Sequence, residues 1–511
     1  MGATLYNVDF NVVNRGMSVA QLTIDPAYAV APVDRRLFGS FVEHMGRCVY
    51  TGIFEPGHPR ADEDGLRTDV LDLVRELGVT VIRYPGGNFV SNYRWEDGVG
   101  PVGDRPRRLD LAWRSIESNR FGLNEFMRWA AQARVEPMMA VNLGTRGIQA
   151  AAELVEYCNV ADGTALSDLR RKHGVAQPHD VKLWCLGNEM DGPWQIGSLT
   201  AREYGRLAAR AGQAMRRVDP GIELVACGSS NSTMPTFGAW EATVLEEAYD
   251  QVDYVSLHNY YDPDKYDEAT FRASAVDLDN FIDDVVATAD HVRAKLRRTK
   301  RINLALDEWN VWFQSRFTEP EDRGIEDTPA LIEDDYDVTD AVVVGNLLIS
   351  MLRHADRLTI GCQAQLVNII APIRTQAGGP AWRQTIFHPF AHTARLARGT
   401  VLRVALTAPT MPTGRFGDVP AVDAVATHDE ATGALTVFVV NRGLEEVTLR
   451  MDLRSFPRLR PGTHLRLAEN DRTLINTMDA PERVVPHQDT GGTTVTLPPV
   501  SWHALSFEEQ S

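Results

Sequence analysis

Two carboxylates in this sequence are placed to do chemistry together. Glu189 lies in LGNEMDGPW and Glu308 in LDEWNVW, each at the end of an apolar run and each flanked by Trp and Asn. They are 308 − 189 = 119 residues apart. Two acids confronting one another across a partly dry opening repel. One is then pushed to hold its proton while the other stays ionised. The first can donate a proton to a departing oxygen, and the second can attack carbon or activate water, which is the division of labour that glycosidic bond hydrolysis needs. Asp307 sits beside Glu308, and neighbouring strand residues point to opposite faces. Only one of the two is therefore expected at the opening, and Asp307 is read as structural.

The elements that would position these acids recur with a clear rhythm. Short apolar runs end at Glu43 (LFGSFVE), Asn88 (TVIRYPGGN), Asn142 (EPMMAVN) and Glu189 (VKLWCLGNE). Four more end at Ser230 (ELVACGSS), Tyr260 (DYVSLHNY), Glu308 (INLALDE) and Asn368 (IGCQAQLVN). Helical stretches separate them. Thr68 to Leu77 and Leu123 to Ala133 carry apolar stripes. Thr200-Ala-Arg-Glu203 is a capping box ahead of Tyr204, Leu207, Ala208, Ala211 and Met215, and Asp219-Pro220-Gly221 stops that helix. Strand and helix in alternation imply a parallel sheet. Eight units of roughly 40 residues fit a (β/α)8 TIM barrel, with an open doubly wound sheet as the competing arrangement. In a barrel the strand C-termini share one mouth, and acids three units apart face each other across it. Nearly every run here ends in a carboxylate, amide or hydroxyl. Such a ring suits a neutral polyol, whereas a phosphate ester would want cations or a helix N-terminus.

Outside the barrel, residues 1–17 form an N-terminal extension without clear period. Ser18 to Asp25 alternates as a strand, and residues 18–31 are expected to join the C-terminal sheet. The barrel is expected over 32–397. Residues 398–511 alternate and are broken by Gly, Pro and Asn, which predicts a jelly-roll-like β-sandwich. Thr318 to Asp340 is a long acidic segment, expected to be a functional or mobile loop. With 52 basic and 69 acidic residues the chain carries −17, which argues against nucleic acid or an anionic membrane surface as partner. The five cysteines are odd in number and lack zinc-site spacing, which predicts free thiols in a reducing cytoplasm. No apolar run is long enough to span a membrane, and no secretory signal or ligand cluster for a metal is visible, so no cofactor is expected.

The segments GNEMDGPWQ with WCLG upstream, RYPGGNFVSNYRWEDGVGP, FVEHMGRCVYTGI and LDEWNVW closely resemble, in order and spacing, those of glycoside hydrolase family 51, the α-L-arabinofuranosidases. The resemblance runs from about Arg36 to Pro389. It implies retaining, exo-acting removal of terminal α-L-arabinofuranosyl residues from arabino- and arabinoxylo-oligosaccharides. Glu189 would be the acid/base and Glu308 the nucleophile. Asn188 would hold the sugar 2-hydroxyl, and Tyr260 would orient Glu308. Glu43, Asn88 and Gln365 would bind the other sugar hydroxyls. Arg83 would position the nucleophile or Asn88, and Trp312 would form a platform for the leaving group. The resemblance also implies a homo-oligomer, with hexamers common in the family.

By residue type alone, several of these also fit purely structural roles. Asn88 could serve a tight turn, Tyr260 and Trp312 could be packed aromatics, Gln365 a core amide and Arg83 a structural ion pair. His258 suits a site residue and a supporting hydrogen bond equally. Competing functions are a β-1,4-glucanase or β-xylosidase of the same family, a metal-dependent sugar isomerase, and a non-catalytic sugar-binding protein.

Overall fold

The computed structural model describes residues 18–318 and 324–509. The expectation for the N-terminal extension lies outside them. Strand β1 (Ser18–Pro32) precedes a closed barrel of eight strands: β2 (Gly39–Phe41), β3 (Val81–Tyr84), β4 (Glu136–Ala140), β5 (Leu183–Leu186), β6 (Glu223–Ala226), β7 (Tyr254–Tyr261), β8 (Asn303–Val311) and β9 (Leu358–Gln363). All neighbours pair in parallel, and β9 returns to β2 through Cys362 opposite Gly39. The eight apolar runs are therefore the eight barrel strands.

Side chains alternate along these strands as the pleat demands. Val81, Met138, Ala140, Leu183, Cys185, Val225, Ala305 and Ile360 fill the barrel interior as one cluster. Their neighbours Ile82, Met139, Trp184, Leu186, Leu224, Leu304 and Leu306 face outward into the larger core beneath the helices. At the N-terminal end of the barrel, Arg36 clamps two strands. It donates to Glu136 at 2.7 Å and 2.5 Å and to Glu223 at 3.0 Å.

The helices at Thr68–Leu77 and Leu123–Ala133 begin and end where the apolar stripes do. In the helix Ala201–Val218 the Thr200 side chain accepts from the Glu203 amide and Glu203 accepts from the Thr200 amide. The acidic segment after β8 is shorter than its sequence suggests, because a helix begins at Val338 with Asp337 as its N-cap. Just before that helix the segment is tied down. Arg47 donates to Glu333 at 2.6 Å, and the buried Tyr336 hydroxyl donates to the Val311 carbonyl at 2.8 Å.

The C-terminal part forms a nine-stranded, mostly antiparallel sheet. In it β1 lies between Thr400–Thr407, antiparallel, and Val447–Asp452, parallel. One face buries Leu22, Ile24, Val437, Val439, Leu449 and Leu505 in a core of its own. The other presents Val425, Phe438, Val440 and Trp502 to the core shared with the barrel helices. Gly345 in the helix Val338–Arg353 is required there, since a Cβ would collide with the Trp502 indole. No helix among the described residues is long and apolar enough to cross a membrane.

Candidate active site

The barrel mouth opens into a cavity of about 510 Å³, within the range of pockets that hold drug-sized ligands. Glu43, Asn88, Glu189, Tyr260, Glu308, Trp312 and Gln365 all line it. Two of the predicted residues, Arg83 and Asn188, lie just beneath as buried supports. Asn142 and Asn368, also at predicted strand ends, are spent elsewhere. Asn142 donates to the Tyr93 carbonyl, and Asn368 donates to the Arg47 carbonyl.

Glu308 sits within β8 at an irregularity, where the pairing with β7 shifts between Ala305 and Glu308. Oε1 accepts from Arg83 Nη1 at 2.7 Å and Oε2 from the Tyr260 hydroxyl at 2.8 Å. The irregularity decides the direction of Glu308, which alternation would turn outward with Leu304 and Leu306. Asp307 follows Ala305 into the barrel, with Oδ2 at 3.1 Å from Arg83 Nε and Oδ1 at 3.2 Å from His258 Nε2. Asp307 thus reaches the same two cations as its neighbour. Burial would raise its pKa, yet Arg83 and His258 hold it below the ordinary carboxylate value.

Glu189 lies three residues beyond β5, on a turn that requires positive φ at Gly187 (92°) and at Glu189 itself (43°). Its Oε1 accepts from His258 Nδ1 at 2.9 Å and its Oε2 from Trp194 Nε1 at 2.6 Å. One oxygen each of Glu189 and Glu308 and a ring nitrogen of His258 all lie within 4.8 Å of one another. Burial raises the Glu189 pKa and the Glu308 charge adds to that, against the opposing hydrogen bond from His258. Burial would lower the His258 pKa, but Glu308 and Asp307 drive it well above its ordinary value. Two cations, Arg83 and His258, thus face the three carboxylates Glu189, Asp307 and Glu308.

These three groups could in geometry chelate a metal ion. Against that, the Arg83 guanidinium already occupies one oxygen of Glu308 at 2.7 Å, and His258 is held protonated by its carboxylate neighbours. Both repel a further cation.

The remaining predicted residues form one connected shell. Arg83 Nη2 donates to Asn188 Oδ1 at 2.6 Å, and Asn188 Nδ2 donates to Asn88 Oδ1 at 3.2 Å. Glu43 accepts from the Phe89 amide at 2.9 Å, from Trp113 Nε1 at 3.0 Å and from Gln365 Nε2 at 3.1 Å. Burial pushes the Glu43 pKa up to about 8. The Gln365 Oε1 is buried without a protein donor. The glycines of PGGN explain how these groups come so close. A Cβ on Gly86, at φ 152°, would lie 2.6 Å from Glu43 Cγ, and one on Gly87 would lie 3.0 Å from Glu308 Oε1. Asn88 then opens a short 3-10 turn at Asn88–Ser91 and lines the mouth. Trp312 packs edge-on against Tyr260 with ring centroids 5.2 Å apart.

Sequence reasoning left His258 undecided and did not single out Trp113 or Trp194. His258 follows the same apolar run as Tyr260, two residues earlier, so the parity of β7 puts both on one face. Trp113 and Trp194 come from loops, where no periodicity points to them.

Known proteins resemble this chain along most of its length. The profile described as the α-L-arabinofuranosidase 1 domain matches residues 73–277, and the α-L-arabinofuranosidase C-terminal domain matches 307–501. A relative from Streptomyces lividans, described as an intracellular exo-α-(1→5)-L-arabinofuranosidase, is 56% identical over 96% of this chain and 75% of its own. One of the same description from Bacillus subtilis is 51% identical over 97% of this chain and 100% of its own. The solved structure of AbfB, a family 51 α-L-arabinofuranosidase from Bifidobacterium longum, superposes with a TM-score of 0.92 at 47% identity. It covers 96% of this chain and 100% of that one. With the carboxylate pair, the supporting shell and these likenesses in hand, the chain belongs to glycoside hydrolase family 51, the α-L-arabinofuranosidases.

Proposed function

We propose that this protein is a retaining exo-α-L-arabinofuranosidase in which Glu308 is the nucleophile and Glu189 the acid/base. One observation carries the reading: oxygens of the two acids lie within 4.8 Å, close to the roughly 5–5.5 Å separation of a retaining pair. Their surroundings differ in the required sense. Glu308 is held by the Arg83 cation and a phenol, while burial and the neighbouring carboxylate raise the pKa of Glu189.

In the first step a Glu308 oxygen bonds to the anomeric carbon as the bond to the leaving oxygen breaks. Glu189 passes its proton to that oxygen. With Glu308 esterified, the charge opposing ionisation of Glu189 is gone, so Glu189 becomes the base. It takes a proton from water, whose oxygen bonds to the anomeric carbon as the ester breaks and arabinose leaves. Asn188 and Asn88 are proposed to hold sugar hydroxyls, with Asn188 meeting the 2-hydroxyl as positive charge develops. Glu43 and Gln365 are proposed to hold others, the Gln365 oxygen awaiting a hydroxyl donor. Arg83 and Tyr260 position the nucleophile, and Trp312 flanks the leaving-group side.

Five bacterial relatives are described as intracellular exo-α-(1→5) enzymes, which supports an α-(1→5) preference and a site of action inside the cell. A Bifidobacterium longum relative of 51% identity is described as exo-α-(1→6), so linkage is read directly from product profiles on α-(1→5)- and α-(1→6)-linked arabino-oligosaccharides. The five buried free thiols suit a reducing compartment. Assembly into a homo-oligomer belongs to the same proposal and is read by sedimentation velocity. The deciding experiment is hydrolysis of an aryl α-L-arabinofuranoside by wild type and Glu308→Ala. A loss of several orders of magnitude with an intact fold is expected, unchanged wild-type turnover in chelator is expected, and methanol as acceptor should yield the α-methyl furanoside. A Glu308→Ala enzyme that turns over normally overturns the assignment.

A further inference from the structure

The cavity that holds the two acids extends past the barrel. Its far wall comes from the hairpin Thr410–Thr413/Gly417–Pro420, an excursion of the C-terminal sheet that reaches the barrel mouth. The hairpin is anchored. Met411, Val419 and Ala421 pack with Ala273 in a small apolar cluster. The Gly414 amide donates to Asp267 Oδ2 at 3.2 Å, and the Arg415 amide donates to Thr270 Oγ1 at 3.3 Å. The tip therefore presents Arg415 and Phe416 to the cavity in a set place.

Arg415 is built into this wall. Its Nη2 lies 2.8 Å from Asp277 Oδ1, and its guanidinium carbon lies 5.3 Å from the Tyr266 ring centre and 5.2 Å from that of Phe416. Asp277 in turn accepts from Asn259 Nδ2 at 2.9 Å, the residue between His258 and Tyr260 on β7. The charged side chains lining this outer chamber are Asp262, Lys265, Asp277 and Arg415, two of each sign. That balance fits a neutral ligand with many hydroxyls and no net charge. Guanidinium N–H groups not spent on Asp277 can donate to hydroxyls, while the Tyr266 and Phe416 rings offer apolar edges to sugar C–H groups. The hairpin tip lines the same cavity as Glu189, Glu308 and Trp312, the aromatic proposed above for the leaving-group side.

We propose that this hairpin completes a leaving-group subsite, with Arg415 as its central donor, for the neutral sugar units that remain after cleavage. The inference rests on the glycosidase reading above and adds that the C-terminal sheet takes part in substrate selection.

The test compares full-length wild type, Arg415→Ala and Arg415→Lys on α-(1→5)-arabinotriose and on an aryl α-L-arabinofuranoside, which has no sugar beyond the bond. The quantity read is the ratio of kcat/KM for the trisaccharide to that for the aryl glycoside. A fall of about tenfold in Arg415→Ala, mostly through KM, is expected. A smaller fall is expected in Arg415→Lys, which keeps the charge opposite Asp277 but loses the planar fork. An unchanged ratio in both variants overturns the proposal, and so does an equal loss on both substrates, which would mark a purely structural role. A wild type that cleaves neither substrate overturns the underlying function instead. The subsite then keeps its own readout, arabinotriose affinity by calorimetry, which must weaken in both variants if the wall is a sugar site.

Discussion

Replacing Tyr260 by Phe isolates the contribution of one hydroxyl to the nucleophile. The ring keeps its edge-on packing against Trp312, 5.2 Å away, so the wall of the cavity stays in place. What disappears is a single donor at 2.8 Å from Glu308 Oε2. Glu308 is buried, and a hydrogen bond to an ionised group in such a setting contributes about 1.5–3 kcal/mol. Arg83 still grips Oε1 at 2.7 Å, so the carboxylate remains in the mouth but can rotate about that remaining contact. The loss therefore falls on orientation at the moment of attack. At 1.4 kcal/mol per decade this amounts to a fall in kcat of roughly 10- to 150-fold. The assay is steady-state hydrolysis of aryl arabinofuranosides with leaving groups of graded acidity, with the thermal midpoint measured alongside. KM should change little. A loss below threefold, or one that appears only as raised KM, would refute the idea that Tyr260 acts through Glu308.

Glu189→Ala should retain measurable turnover on aryl glycosides whose leaving group departs unaided, and should lose the alkaline limb of the kcat/KM profile. In wild type that limb lies above the ordinary glutamate range, because the working acid must be protonated and its pKa is raised by burial and by Glu308. Asp307→Asn should destabilise the protein by about 3–5 kcal/mol near neutral pH by unpairing buried Arg83 and His258, read as a shift in the denaturant midpoint. The wild-type pKa of Asp307 is depressed, so its contribution is present above the unfolded value and lost as pH falls through the folded one, and the difference between the two proteins should shrink in acid. Gly86→Ala should cost activity more than tenfold and stability about 1–3 kcal/mol, since the new Cβ displaces Glu43, and a kinetically normal variant would contradict the packing described.

Much of this site is legible in the sequence because its residues follow strong periodic signals. An apolar run that ends in Glu, Asn or Tyr is visible without coordinates, and eight such runs determine the barrel and therefore which groups share a mouth. The failures occur where periodicity breaks. The irregular pairing in β8 lets Asp307 and Glu308 reach the same two cations, which alternation forbids. Glu189 stands on a positive-φ turn beyond its strand, so its direction is set by backbone geometry that no side-chain pattern reports. Asn142 and Asn368 satisfy the strand-end pattern yet serve loop carbonyls, because residue type cannot distinguish a ligand amide from a turn amide. Trp113 and Trp194 enter from loops. The hairpin at Thr410–Pro420 comes from another part of the chain altogether.

The placement of β1 has a consequence for biosynthesis. Gln21 finds its partner in Thr407 and Ser18 in Val447, so the first described strand to leave the ribosome must wait for nearly the whole polypeptide before its sheet can close. During that wait Leu22 and Ile24, both fully covered at the end, have nothing to cover them. A fragment ending after the barrel would carry that orphan strand with it, and a fragment beginning at the C-terminal sheet would lack one of its central members. The two halves of this molecule are thus separable on paper by fold class but not by scissors.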